Sequence, residues 1–182
     1  MRDDDTLEID PTIDASAFGT FYLDAFPAES AMVEGTMRAI REKLWVPTET
    51  GGVARYEHDR YHRTADDDAI PGNPWLICTL WLAEHAVARA TSVAELQSAL
   101  DLVRWARSKA RPSLILPEQI DPESGAPLSV APFTWSHAQV VSVVRGYLDA
   151  LRFLRRESRE TVMRDEEKIA RDHPVDKPKW FP

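Results

Sequence analysis

Two polar side chains stand where an apolar run ends. Residues 114–121 read LILPEQID, so Glu118 and Gln119 follow Pro117 directly. A carboxylate beside a carboxamide at such a mouth is either part of a solvated loop or is directed at a polyhydroxylated ligand. Three segments concentrate the residue types that can do this chemistry: GGVARYEHDRY from residue 51, GNPWLICTLWLAEHA from residue 72, and LPEQIDPESGAPLSVAPFTWSHA from residue 116. Each sets Trp, Tyr, Arg, Glu or Gln beside a helix start. A sugar presents hydroxyls around its edge and apolar C–H groups on its faces. Carboxylates, amides and guanidinium groups hydrogen-bond the edge, and tryptophan covers a face while excluding water. Nucleotide signatures do not compete, because the sequence has neither G-x-x-x-x-G-K-[ST] nor G-x-G-x-x-G. It has no G-x-S-x-G nucleophile elbow either.

The elements that must position these groups read as helices. After Ser30, the residues Val33, Met37, Ile40 and Leu44 share one helical face. Pro47 and Gly51-Gly52 close that segment. Residues 53–74 show no apolar period and read as a long ordered polar loop. WLICTLWLAEHAVARA (75–90) is nearly all apolar at first, so its start is expected to be deeply buried. Ser92-x-x-Glu95 reads as a capping box before a helix with Val93, Leu96, Leu100 and Val103 on one face, ending near Ala110. The short turn between these two helices predicts antiparallel packing. A second irregular stretch, 114–135, holds five of the breakers: Pro117, Pro122, Gly125, Pro127 and Pro132. Ser136-x-x-Gln139 reads as another capping box, leading a helix with Val140, Val144, Tyr147, Leu148 and Leu151. No strand alternation is convincing, so the fold class is all-α.

Composition narrows the partners. The chain has 182 residues, 43% of them hydrophobic, which suffices for one domain with a sizeable core. Its net charge of −8 argues against a nucleic-acid backbone and against anionic membrane surfaces. Cys78 is the one cysteine and sits in an apolar run, where it reads as a buried core thiol. No Cys/His zinc spacing occurs. The acidic start MRDDDTLEID has no apolar core of a signal peptide, and no apolar stretch approaches the roughly 18 residues of a spanning helix. The expected setting is cytoplasmic.

RYEHDRY, GNPWLICTL, LPEQ and FTWSHA, in this order, resemble the C-terminal part of glycoside hydrolase family 15, which contains glucoamylases, glucodextranases and some trehalases. The resemblance covers roughly residues 12–154. It implies part of an (α/α)6 barrel, a six-hairpin glycosidase fold, with only about the C-terminal half present. Residues 1–11 would be a flexible start, 12–155 the half-barrel, and 156–182 a charged helical extension and tail. It implies inverting hydrolysis of α-glucosidic bonds without a cofactor or metal, acting on an α-glucan, a maltooligosaccharide or trehalose. Glu118 matches the general base, which deprotonates the attacking water, and Gln119 its partner. Arg55 matches an arginine of the innermost sugar subsite, Trp75 a tryptophan of the same pocket, and Trp135 an aromatic wall near the base. Asp59 falls near an acidic substrate-binding position, although RTADDDAIP is inserted between Tyr61-His62 and GNPW. The family's general acid lies upstream of the matched region. The implied partners are therefore the sugar and an upstream half-barrel chain, or a second copy of this chain through self-association.

Each of these residues has a plainer rival. Glu118 alone would read as a loop carboxylate, and Arg55 as an ion pair with Glu57 or Asp59. Trp75 would be core packing, and Trp135 a hydrophobic anchor at the helix entry. His137 reads as a first-turn helix residue, and Asp66, Asp67 and Asp68 as a solvated loop rather than a cation site. Glu84 and His85 lack the spacing of H-E-x-x-H. The second class of function is a non-catalytic helical module, either a carbohydrate-binding fragment or an orphan fragment that pairs with a partner chain.

Overall fold

The computed structural model describes residues 9–172, so most of the expected flexible start, 1–11, and the end of the expected extension and tail, 156–182, lie outside the described residues. A 3-10 turn, Ala15–Phe18, runs into a single helical turn, α1 (Gly19–Tyr22). Helix α2 spans Ala31–Leu44. Its cap is Ser30, whose hydroxyl accepts from Val33 N at 3.4 Å. Val33, Met37, Ile40 and Leu44 are all buried, as their spacing predicts. Glu34 in the first turn and Arg41 and Lys43 in the last complement the helix dipole.

Helix α3 (Leu76–Arg89) is buried nearly all round, from Leu76 to His85 without interruption. A helix apolar on every side belongs at the centre, and α3 packs against both α4 (Gln97–Ser108) and α5 (Thr134–Asp172). Its single thiol, Cys78, is buried, and burial pushes it well above its ordinary range.

Two sequence expectations about the flanking helices change. Ser92 Oγ does accept from Glu95 N at 3.4 Å, and Glu95 Oε2 accepts from Thr91 N at 2.8 Å. This reciprocal pair closes a turn, and the α-helix begins only at Gln97. The buried face is Leu96, Ala99, Leu102 and Ala106, while Val93 is exposed. Two small alanines, Ala99 and Ala106, are buried on this face, and Trp105 donates from its indole N–H to Thr50 O at 2.7 Å. In α5, Ser136 lies inside the helix rather than capping it. Its hydroxyl donates to Pro117 O at 2.8 Å, and Gln139 Nε2 donates to Glu84 Oε1 at 2.8 Å. Both groups are buried, and tertiary partners satisfy them in place of a local cap. Val143 and Leu154 form the buried contacts of α5, whereas Val144 and Leu148 are exposed.

The third change concerns strands. Four two-residue strands pair antiparallel in the order β1 (Val53–Ala54), β2 (Pro74–Trp75), β3 (Gln119–Ile120), β4 (Pro127–Leu128). Val53 faces Trp75, Trp75 faces Gln119, and Gln119 faces Leu128. Two residues are too few to show alternation, so the sequence alone reads these positions as loop. The architecture remains helical, with this small sheet joining the two irregular stretches. Gly52 makes the entry to β1 work: its φ is +93°, and an added Cβ would lie 2.4 Å from Trp105 Cζ2 and 2.8 Å from Pro74 Cβ.

Over residues 155–165, α5 carries exposed charged side chains with spaced pairs such as Arg164–Glu160 at 3.4 Å. Among the described residues no helix is long and apolar enough to cross a membrane.

Candidate active site

The small sheet is the frame of the site. Arg55 follows β1, Trp75 sits on β2, Glu118 precedes β3, and Ser129 follows β4. Register therefore brings together three sequence segments that are far apart in the chain. They wall a cleft of about 560 Å³ that also takes in Asp14, Tyr56, Trp81 and Trp135.

Glu118 is 8% exposed and faces this cleft. Its backbone is fixed on both sides: Glu118 N donates to Val130 O at 2.9 Å, and its carbonyl accepts from Leu76 N at 3.3 Å. The carboxylate oxygen Oε2 accepts from the Ser129 hydroxyl and from Gln119 Nε2 at 3.5 Å. Ser129 reaches it from a left-handed backbone, φ +61°, a conformation that costs energy for a residue with a Cβ and is found where geometry has to be held. The preceding loop is pinned to the start of α5. Phe133 N donates to Leu116 O at 2.9 Å, Ser136 Oγ to Pro117 O, and Leu116 N donates to His137 Nε2 at 3.0 Å. His137 thus accepts with Nε2, which makes it a brace for LPEQ.

Gln119 is fully buried, so its side chain stands behind the cleft surface. Its Oε1 accepts from Asn73 Nδ2 at 2.9 Å, and Asn73 Nδ2 also donates to His62 O at 2.7 Å. The carboxamide thereby links the GNPW turn to Glu118.

Asp59 likewise lies behind the surface, 1% exposed. It takes Arg55 in a forked pair, Arg55 Nε to Oδ2 at 3.0 Å and Nη2 to Oδ1 at 2.9 Å, and also accepts from Tyr61 N at 2.9 Å. Asp59, expected as a substrate contact, is thus buried behind Arg55 and holds that side chain in place. The rival partner, Glu57, is engaged elsewhere, accepting from Ile13 N at 2.9 Å. The Arg55 side chain remains 34% exposed. Its guanidinium lies 4.8 Å from the Tyr56 ring centre, 5.3 Å from Tyr61 and 4.8 Å from Trp75, within cation–π range. Partial burial works against its charge, and the Asp59 hydrogen bonds and charge more than offset that, holding Arg55 above its ordinary range. The result is a fixed donor fork at the cleft wall.

Trp75 is both core and wall: it is buried, and it lines the cleft beside Arg55. Trp135 is 51% exposed at the rim, 6.0 Å from Trp81 between ring centres. Trp81 in turn stacks on Phe18 at 4.0 Å with 6° between planes. Sequence reasoning missed Asp14, Tyr56, Trp81 and Ser129 as members of this site. Tyr56, Trp81 and Ser129 lie inside the three segments singled out by residue type but carry no individual assignment there, and Asp14 lies in a stretch before the first helix without such a signal.

The fold is that of one part of a six-hairpin glycosidase. A bacterial glucoamylase solved in complex with acarbose superposes with a TM-score of 0.65 at 22% identity, over 76% of this chain and 21% of that one. A second structure, a wild-type glycosidase, gives a TM-score of 0.59 at 20% identity, over 80% of this chain and 37% of that one. In sequence, the chain is similar to the C-terminal part of a glycoside hydrolase family 15-like catalytic domain. An uncharacterized glycosyl hydrolase of Methanocaldococcus jannaschii is 30% identical over 146 residues, covering 75% of this chain and 22% of the relative. The trehalase of Mycobacterium tuberculosis is 31% identical over 137 residues, covering 74% of this chain and 18% of the relative. The chain thus spans about a fifth of the length of these curated relatives. No protein-family model matches it.

Proposed function

We propose that this chain supplies the base side of the active site of an inverting α-glucoside hydrolase. The observation that carries the reading is the Glu118 carboxylate. It is nearly buried and held by Ser129 and Gln119, and it lines the same cleft as a fixed arginine fork and three tryptophans. A carboxylate so held accepts a proton from water, while Arg55 donates to ring hydroxyls and Trp75 covers a sugar face. An inverting reaction needs a second carboxyl group about 6.5–9.5 Å from the base to leave room for that water. The family resemblance puts this acid on a segment upstream of the matched region. Substrates of this reading are maltooligosaccharides, α-glucans and trehalose, and the chemistry needs no cofactor.

The pairing surfaces follow from the same reading. Val141, Val144 and Leu148 on α5 and Met32 on α2 are exposed apolar side chains. They are the faces that the remaining helices of a barrel would cover, whether those helices come from a longer chain, a separate half-barrel or a second copy.

The test is glucose release from maltotetraose and from trehalose, with wild type beside Glu118→Gln, each with and without the upstream half supplied. Turnover by wild type and a loss of about 10²–10⁴-fold in the variant, the usual contribution of one general base, supports the assignment and names the substrate. Equal rates for wild type and variant remove Glu118 as the base. No turnover under either condition leaves a carbohydrate-binding helical module.

A further inference from the structure

The segment before the first helical turn brings a second carboxylate to the cleft. Residues 13–15 run antiparallel to 55–57. Ala15 N donates to Arg55 O at 2.8 Å and Glu57 N to Ile13 O at 3.1 Å, which sets Asp14 directly opposite Tyr56. Cross-strand neighbours project to the same side, and both Asp14 and Tyr56 line the cleft that holds Glu118. Asp14 Oδ1 accepts from Ser16 N at 2.7 Å, capping the 3-10 turn. That hydrogen bond uses one of the roughly four acceptor positions of a carboxylate. Among the described residues Asp14 has no ion-pair partner, because Arg55, the cleft's arginine, is paired to Asp59. Its charge is felt in the cleft wall: after burial, Asp14 is the strongest influence raising the Cys78 thiol.

The geometry points to Asp14 as a ligand-facing, specificity-determining residue. Its carboxylate accepts hydroxyl hydrogen bonds from a neutral sugar ring and rejects rings that carry an acidic group. The inference rests on the α-glucoside reading of the cleft. Two carboxylates, Asp14 and Glu118, face the ligand, while the positive charge of Arg55 is balanced by Asp59 from behind. Among the described residues the uncompensated charge of this cleft is negative, so a ring with its own carboxylate meets repulsion where a neutral ring finds acceptors.

A matched pair of probes isolates this effect: methyl α-glucopyranoside and the corresponding methyl α-glucuronide, titrated against the full chain. Trp75, Trp81 and Trp135 line the cleft, so their fluorescence reports binding. Asp14→Asn and Asp14→Ser both keep a side-chain oxygen able to cap the turn, so each removes the charge without removing the cap. Wild type is expected to favour the neutral glucoside by about tenfold or more, a difference of one cleft charge at moderate screening. Both variants, folded by circular dichroism, should bind the neutral glucoside at least about fivefold more weakly and lose most of the discrimination against the glucuronide. Folded variants that bind the neutral glucoside as wild type does overturn the role of Asp14 and leave the sugar cleft standing. A wild-type chain that binds neither probe removes the cleft reading, and this inference with it.

Discussion

Asp59 offers the sharpest test of how the site is held. Asp59→Asn keeps the size of the side chain and removes its charge, leaving Arg55 without its fork. Deleting one partner of a fully buried pair costs about 3–5 kcal/mol. Here the arginine is about a third exposed, and water screens it, so the expected loss of stability is smaller, about 1–3 kcal/mol. The larger consequence is for binding. A hydrogen bond to a charged group contributes about 1.5–3 kcal/mol, so a guanidinium that no longer points at the ligand should weaken α-glucoside binding by about ten- to 150-fold. Urea denaturation reads the first quantity and tryptophan fluorescence titration the second. The decisive experiment is a double-mutant cycle with Arg55→Met. Because Asp59 is 1% exposed and acts through Arg55, Asp59→Asn should add almost nothing once Arg55 is gone. Fully additive binding losses would refute the positioning argument and show that Asp59 meets the ligand by another route.

Two further outcomes follow from the frame around the site. Gly52→Ala should destabilise the chain by more than about 2 kcal/mol, since φ +93° and the clash of an added Cβ with the Trp105 ring and Pro74 leave no room for a methyl group; thermal melting measures this, and a melting point equal to wild type would show that β1 can shift. His85 is buried, which lowers its proton affinity, and it hydrogen-bonds Ala28 O at 3.1 Å. A base depressed in the folded state contributes stability above its ordinary value of about 6.5 that is lost as pH falls below it. Denaturation midpoints of wild type should therefore drop between pH 7 and 5, and His85→Gln should flatten that drop; an unchanged slope would assign the acid sensitivity to other groups.

Local pattern made part of this protein legible in one dimension. The Val33–Met37–Ile40–Leu44 spacing defines α2, and the continuous apolar run after Trp75 defines a central α3, because hydrophobic patterning is a local signal. The motif order around Arg55, Trp75, Glu118 and Trp135 likewise pointed to one cleft. What the chain does with them was decided in three dimensions. Ser136 and Gln139 read as a local cap and instead bind Pro117 and Glu84, because burial gave them partners far along the chain. Gln119 and Asp59 read as ligand contacts and stand behind the surface, since the same polar group serves a ligand or a neighbour depending on which side of the sheet faces water. Asp14, Tyr56 and Ser129 entered the cleft through two-residue strands and one bridge, pairings too short to leave a periodic trace. Residue type and spacing determine which helices form and which groups are available for chemistry; burial, register and long-range hydrogen bonds decide which of those groups face the cleft, because these are properties of pairs distant in sequence.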